Sequence, residues 1–270
     1  MDVLDIGRGR PLVLLHGWSC TRSFWRPQIE ALARTFRLVA PDLPGHGRSP
    51  ANPVTLSITA IAGEVKQLIA RRELDRPVLV GWSMGALAAF DLIRQFGVDD
   101  LGGLVVVDMT PRLINDGEWT LGLQGFDPQV NVLMQAAIRA DWPANARLLL
   151  PRLFARGQPV DPDLAEWMGR EMGMADPEAM AVLWASMAAQ DYRSLLPTID
   201  LPALVIHGGE SQLYAPEVSA YLAKSLPRAE RACCPNSGHA PHLEEPRLFN
   251  TLLADFADGL TPSGRRARAR

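Results

Sequence analysis

The sequence has little of what would staple or anchor a chain. It holds three cysteines in 270 residues, an odd number, and two of them, Cys233 and Cys234, are adjacent while Cys20 stands alone near the other end. No C-x-x-C spacing occurs, which excludes a disulfide framework and a zinc site of common spacing. No apolar run approaches the ~18 residues that a membrane-crossing helix needs. The N-terminus lacks a basic segment followed by an apolar stretch, so no signal peptide is read. A basic surface is missing too. The chain counts 27 Lys+Arg against 30 Asp+Glu, and Arg265, Arg266, Arg268 and Arg270 all fall in the last six positions. An acidic body excludes nucleic acid as the main partner. With 47% hydrophobic and 21% charged residues, the composition is that of a globular protein, which excludes wholesale disorder. The expectation is a cytoplasmic protein of one large domain, a monomer or weak dimer, with enough chain to bury a core unaided.

Short apolar runs alternate with longer amphipathic ones. The runs at 11–16 (PLVLLH), 37–40 (RLVA), 77–82 (PVLVGW), 104–108 (LVVVD) and 203–207 (ALVIH) have the unbroken apolar character of strands buried on both faces of a parallel sheet. Between them, residues 57–73 repeat Ile58, Ile61, Val65, Leu68 and Ile69 at helical spacing. Further helical patterns lie at 23–35, 84–95 and 216–225. Strand followed by helix, repeated, is the α/β pattern. Between 111 and 197 the strand signals vanish. That stretch holds Trp119, Trp142, Trp167 and Trp184, and six of the nine methionines: Met134, Met168, Met172, Met174, Met180 and Met187. It reads as a helical layer, either plain packing or a lid over an apolar ligand site. Arg112, Arg139, Arg147 and Arg152 fall in it. They read as solvated surface arginines, with contact to an acidic carrier or a carboxylate as the other reading. From Pro262 the tail PSGRRARAR has no apolar periodicity and reads as a disordered basic segment.

The chemistry is concentrated where a strand run ends. Gly81-Trp82-Ser83-Met84-Gly85 is a G-x-S-x-G placed between an apolar run and a helical pattern. In that context the serine sits on a sharp turn with its hydroxyl above the sheet edge. A serine hydroxyl needs a base, and the base needs an orienting carboxylate. Of five histidines, His239 follows Asn236-Ser237-Gly238 on a loop and is the expected base, with His242 as its competitor. His207 ends a strand run and reads as structural; His46, in Gly45-His46-Gly47, reads as a loop anchor. His16-Gly17-Trp18 closes the first run. A backbone N–H just beyond that glycine, with the N–H of Met84, would make a two-donor oxyanion hole. The plain alternative there is a turn with His16 bonded to backbone.

These residues resemble the α/β-hydrolase family, and within it the small lidded serine esterases. The resemblance rests on Leu14-Leu15-His16-Gly17-Trp18, on Pro41-Asp42-Leu43-Pro44-Gly45-His46-Gly47-Arg48-Ser49, on the serine turn, and on Gly238-His239 followed by Glu244-Glu245-Pro246. It implies Ser83 as nucleophile, His239 as base, and Trp18 and Met84 as oxyanion donors. One position departs from the family. Its usual triad aspartate follows the penultimate strand in a pattern like H-G-x-x-D, and here His207-Gly208-Gly209-Glu210-Ser211 puts a serine at that place. Asp108, ending the strand after the serine strand, is the preferred substitute, and Glu210 is the other candidate.

The resemblance implies an α/β-hydrolase fold with a mostly parallel sheet, a core of residues 1–110 and 198–261, a helical lid at 111–197 inserted after the sixth strand, and a tail at 262–270. A serine rather than a carboxylate at the turn disfavours dehalogenase and epoxide hydrolase chemistry. It favours cleavage of a carboxylic ester or related acyl bond through an acyl-enzyme. The substrate expected is a small-molecule or carrier-bound acyl ester, with no metal and no organic cofactor. The alternatives are a lactonase, a cofactor-free haloperoxidase or lyase on the same triad, or a slow-turnover ligand-binding protein.

Overall fold

The computed structural model describes residues 1–260; the tail expected from Pro262 lies outside them. Seven strands form one sheet: β1 (Val3–Ile6), β2 (Pro11–Leu15), β3 (Arg37–Pro41), β4 (Val78–Trp82), β5 (Gly103–Val107), β6 (Ala203–Gly208) and β7 (Ala229–Cys234). Their order is β1-β3-β2-β4-β5-β6-β7. Only β1 runs antiparallel, against β3; every other pairing is parallel. β4, β5 and β6 are buried along their whole length, because helices cover both faces of a parallel sheet. The helices are α1 (Arg26–Leu32), α2 (Ile58–Arg71), α3 (Met84–Phe96), α4 (Pro128–Ala140), α5 (Trp142–Leu149), α6 (Pro162–Gly173), α7 (Pro177–Ala188), α8 (Pro216–Ser225), α9 (Pro241–Glu244) and α10 (Pro246–Gly259).

α2 shows how sequence sets an element. Ser57 caps it by accepting the Ala60 N–H, and Ile58, Ile61, Ala62, Val65, Leu68 and Ile69 make its buried stripe. The strands β1 and β7 lack such a signal. Both sit at sheet edges, and β7 exposes Glu230 and Arg231.

Between β5 and β6 the chain makes only helices α4 to α7 and two 3-10 turns. The insertion therefore follows the fifth strand, not the sixth as expected. The expected count came from the family resemblance. Here a single antiparallel strand precedes β2, so the serine strand is the fourth and the insertion comes one strand early.

Register fixes what meets at the sheet's upper edge. Leu15 pairs with Gly81, Trp82 with Val107, and Val107 with Ile206. Ser83 and Asp108, next in sequence after β4 and β5, thus stand at the level of His207 near the end of β6, with His16 one residue lower, beside Trp82. Strand order reverses between β2 and β4, the kind of crevice where open α/β sheets bind ligands.

Candidate active site

Ser83 lies between β4 and α3 with φ of 54° and ψ of −122°, a left-handed conformation unusual for a residue with a side chain. Its neighbours explain how the turn is tolerated. A Cβ on Gly85 would lie 2.1 Å from the Leu15 carbonyl oxygen, and one on Gly81 would lie 2.5 Å from the Ala86 Cα. Only glycine at both places lets α3 leave so close to β2 and β4. Met84 is the first residue of α3, so its N–H has no acceptor within the helix. The Trp18 N–H has no backbone acceptor among the described residues.

His239 and Asp108 meet in the interior. His239 Nδ1 lies 2.8 Å from Asp108 Oδ2, and both side chains are almost fully buried. Asp108 has a positive φ of 41°, a conformation Asp tolerates better than most residues. Ser211, at the place where the family pattern has an aspartate, donates its hydroxyl to the same Asp108 Oδ2 at 2.8 Å. Glu210 is exposed, and its backbone binds Ser237 and Arg156. Trp82 Nε1 donates to the His239 carbonyl at 2.7 Å, and the His239 N–H donates to Leu153 O at 2.9 Å. Glu244 accepts from Gly238 N and Ala155 N at 2.7 and 2.8 Å, tying the histidine loop to the insertion. Sequence reading quoted Glu244 only as part of a motif and gave Ser211 no role; the Glu244–Ala155 and Ser211–Asp108 contacts join distant positions and leave no local pattern.

The remaining histidines are held elsewhere. His16 Nε2 accepts the Leu43 N–H at 2.9 Å, so its Nδ1 carries the proton given to Gly17 O. His46 Nε2 accepts the Ser19 N–H at 3.1 Å, leaving its Nδ1–H for Pro44 O. The two rings meet edge to face at 5.0 Å. Burial pushes the His16 pKa down to about 4 and that of His46 to about 3, where the neighbouring His16 adds to the effect. Two neutral rings thus clamp the loop carrying Trp18. His207 Nδ1 donates to Ala232 O, and its Nε2 accepts from Arg231. His242 is buried between Trp25 and Trp82, ring centroids 4.5 Å from each, and burial drives its pKa well below the usual imidazole value. Its ring contacts Trp82, and the geometry brings His239, not His242, to Asp108.

Ser83 and His239 open onto one narrow cavity of about 70 Å³. Its other walls include Trp18, Trp82, Leu123, Met134, Met172, Trp184, Met187 and Tyr214. The insertion supplies the aliphatic and thioether side. Of its four tryptophans only Trp184 lines the cavity. Trp142 stacks edge to face behind Trp18 at 5.0 Å, Trp119 packs on Tyr221, and Trp167 on Phe24. Trp18 Nε1 donates to Met180 O at 3.1 Å, which joins the glycine loop to α7.

Residues 12–252 match the model of the alpha/beta hydrolase family. The chain belongs to the α/β-hydrolase family. This hydrolase is 30% identical over 254 residues to the pimeloyl-[acyl-carrier protein] methyl ester esterase of Vibrio vulnificus, an alignment covering 93% of this chain and 95% of the relative. A thermophilic esterase from Thermogutta terrifontis, solved with malate bound, superposes with a TM-score of 0.85 at 28% identity, covering 95% and 92% of the two chains. The enol-lactonase of Burkholderia xenovorans superposes with a TM-score of 0.83 at 24% identity, covering 95% and 96%; that likeness is one of fold. Among the described residues, no helix of the hydrolase is long and apolar enough to cross a membrane.

Proposed function

We propose that this hydrolase cleaves carboxylic esters by acyl transfer from Ser83 to water, with His239 as base and Asp108 as the orienting acid. The observation that carries the reading is the buried 2.8 Å contact between His239 Nδ1 and Asp108, on a ring that shares its cavity with Ser83. An acceptor at Nδ1 keeps the proton there and frees Nε2 to take the Ser83 proton. Ser83 Oγ adds to the acyl carbon, and charge collects on the former carbonyl oxygen. The N–H groups of Trp18 and Met84 are the donors suited to hold it. His239 then returns the proton to the departing alcohol. A water activated by the same ring repeats the cycle on the acyl-enzyme and restores Ser83.

The helices from α4 to α7 serve as the lid, covering residues 111–197 of the expected division. The apolar cavity wall suits an aliphatic acyl chain. The relatives named for a methyl ester on an acyl carrier make a carrier-bound acyl ester one form this substrate can take. Opening of a lactone needs the same groups, the difference being that the alcohol stays attached.

A fluorophosphonate probe tests the reading. Labelling is expected on Ser83 alone, found by mass mapping of peptides. Ser83→Ala should keep its fold and lose ~10³-fold or more in turnover of an activated ester. Labelling at another serine, or full turnover by the variant, would overturn the proposal.

A further inference from the structure

Four arginines of the insertion read alike in sequence, and the structure separates them. Arg112 is ion-paired with Asp116, Arg139 lies 3.6 Å from Glu178, and Arg147 is exposed. Arg152 is half-buried and lines the cavity that holds Ser83 and His239. It is the one Lys or Arg among the cavity's lining residues. Its hydrogen bonds are two long ones, 3.4 Å each, from Nη2 to the carbonyls of Gln124 and Gln212. A guanidinium has five N–H donors in a planar fork, and no ion pair to Arg152 is found among the described residues. A half-buried cation in an apolar wall is costly unless an anion completes it.

The residue is also fixed relative to the reacting groups. It sits in a 3-10 turn, Leu150–Leu153, whose last residue accepts the His239 N–H at 2.9 Å. The Gln212 side chain donates to Pro151 O and Phe154 O at 3.0 and 2.9 Å, binding that turn to the segment that carries Ser211. Arg152 is therefore anchored to both the loop of His239 and the segment of Ser211. Its charge is felt at the neighbouring Tyr214 hydroxyl, opposing the rise that burial imposes there.

We infer that Arg152 is a specificity-determining residue, and that the ester this enzyme prefers carries a free carboxylate which pairs with the Arg152 guanidinium while the ester carbonyl sits at Ser83. The pairing is the bidentate fork geometry that arginine offers and lysine does not. This rests on the ester-hydrolase reading and adds the chemistry of the substrate's other end.

The test compares matched esters. Methyl half-esters of dicarboxylic acids from succinate to sebacate place the carboxylate on the acyl side. Acyl esters of hydroxy acids place it on the alcohol side. Methyl esters of monocarboxylic acids of equal length are the neutral controls. The wild-type enzyme should favour one acid-bearing arm, and the favoured arm tells which side of the ester the carboxylate occupies. Arg152→Gln should lose roughly 10- to 100-fold in kcat/KM on that arm, with the neutral controls close to unchanged. Arg152→Lys should recover part of the loss. Equal rates on acid-bearing and neutral esters, or a loss in Arg152→Gln shared by both, would overturn the inference. A second measurement separates it from the hydrolase reading. Calorimetric binding of the half-esters to Ser83→Ala and to Ser83→Ala with Arg152→Gln needs no turnover. Affinity lost with the arginine supports the inference even if Ser83 proves not to be the nucleophile; affinity unchanged defeats it even if Ser83 is.

Discussion

A serine stands where the family pattern has its acid, and Asp108, the acid of the proposed triad, stands one strand away. Ser211 donates a 2.8 Å hydrogen bond to Asp108 Oδ2, so the segment after β6 still reaches His239, through Asp108. This arrangement makes three substitutions diverge. Asp108→Asn keeps the shape but offers His239 Nδ1 no anion, and should lower kcat on the order of 10³- to 10⁴-fold with KM changed far less. Glu210→Gln alters an exposed side chain and should leave turnover near wild type. Ser211→Ala removes one donor from Asp108 and should cost only several-fold, in keeping with a single charge-assisted hydrogen bond partly replaced by water. Steady-state kinetics on one activated ester ranks all three. A crippled Glu210→Gln beside an active Asp108→Asn would move the acid to the turn after β6. That Ser83 and His239 would share one site was legible in sequence, and they do line one cavity, because a strand-to-helix glycine turn and a glycine-preceded loop histidine are local patterns. The Ser211 contact was not, since it joins positions 103 apart.

Elements were legible in proportion to how fully they are buried. β2, β4, β5 and β6 announce themselves as unbroken apolar runs. The edge strands β1 and β7 owe their form to one neighbour each, β3 and β6, and β7 carries charges that no buried-strand pattern admits. The insertion was legible as helical, but not which of its side chains faces the cavity. That division predicts two classes of variant. Met134 and Met187 line the cavity, so Met134→Ala or Met187→Ala should shift the preferred acyl chain toward longer substrates. Trp142 is 1% exposed, lies behind Trp18 and donates Nε1 to Met172 O at 2.9 Å. Trp142→Ala should instead cost about 3–5 kcal/mol of stability and leave the chain-length profile of the remaining folded enzyme unchanged. Urea unfolding alongside a panel of esters of graded length measures both. A profile shifted equally by Trp142→Ala would mean that the insertion acts as one deformable body, with no separate wall and backing.

The molecule as a whole couples its sheet to its surface loops through two neutral histidines, and this gives its stability a defined pH dependence. His16 and His46 are fully buried and each uses Nε2 as an acceptor, for Leu43 N–H and Ser19 N–H. Their pKa values fall from 6.5 to about 4 and about 3, chiefly because burial disfavours the charged ring. In the unfolded chain both rings protonate near pH 6.5; in the folded chain they stay neutral until far lower. Between those limits the unfolded state binds more protons, so acid favours unfolding. The stability these rings contribute is complete above about pH 6.5 and is lost as pH falls through about 4 and 3, a change on the order of several kcal/mol for the pair. Protonation also places a donor where an acceptor must be, so the loop carrying Trp18 should loosen along with the fold. His46→Gln can still accept the Ser19 N–H through its amide oxygen but does not titrate. Its unfolding free energy, followed by urea melts from pH 7 to pH 3, should therefore decline less steeply than that of the wild type, with the two curves converging toward acid. Parallel curves would show that His46 takes up its proton over the same pH range folded as unfolded, and the neutral clamp would have to be given up.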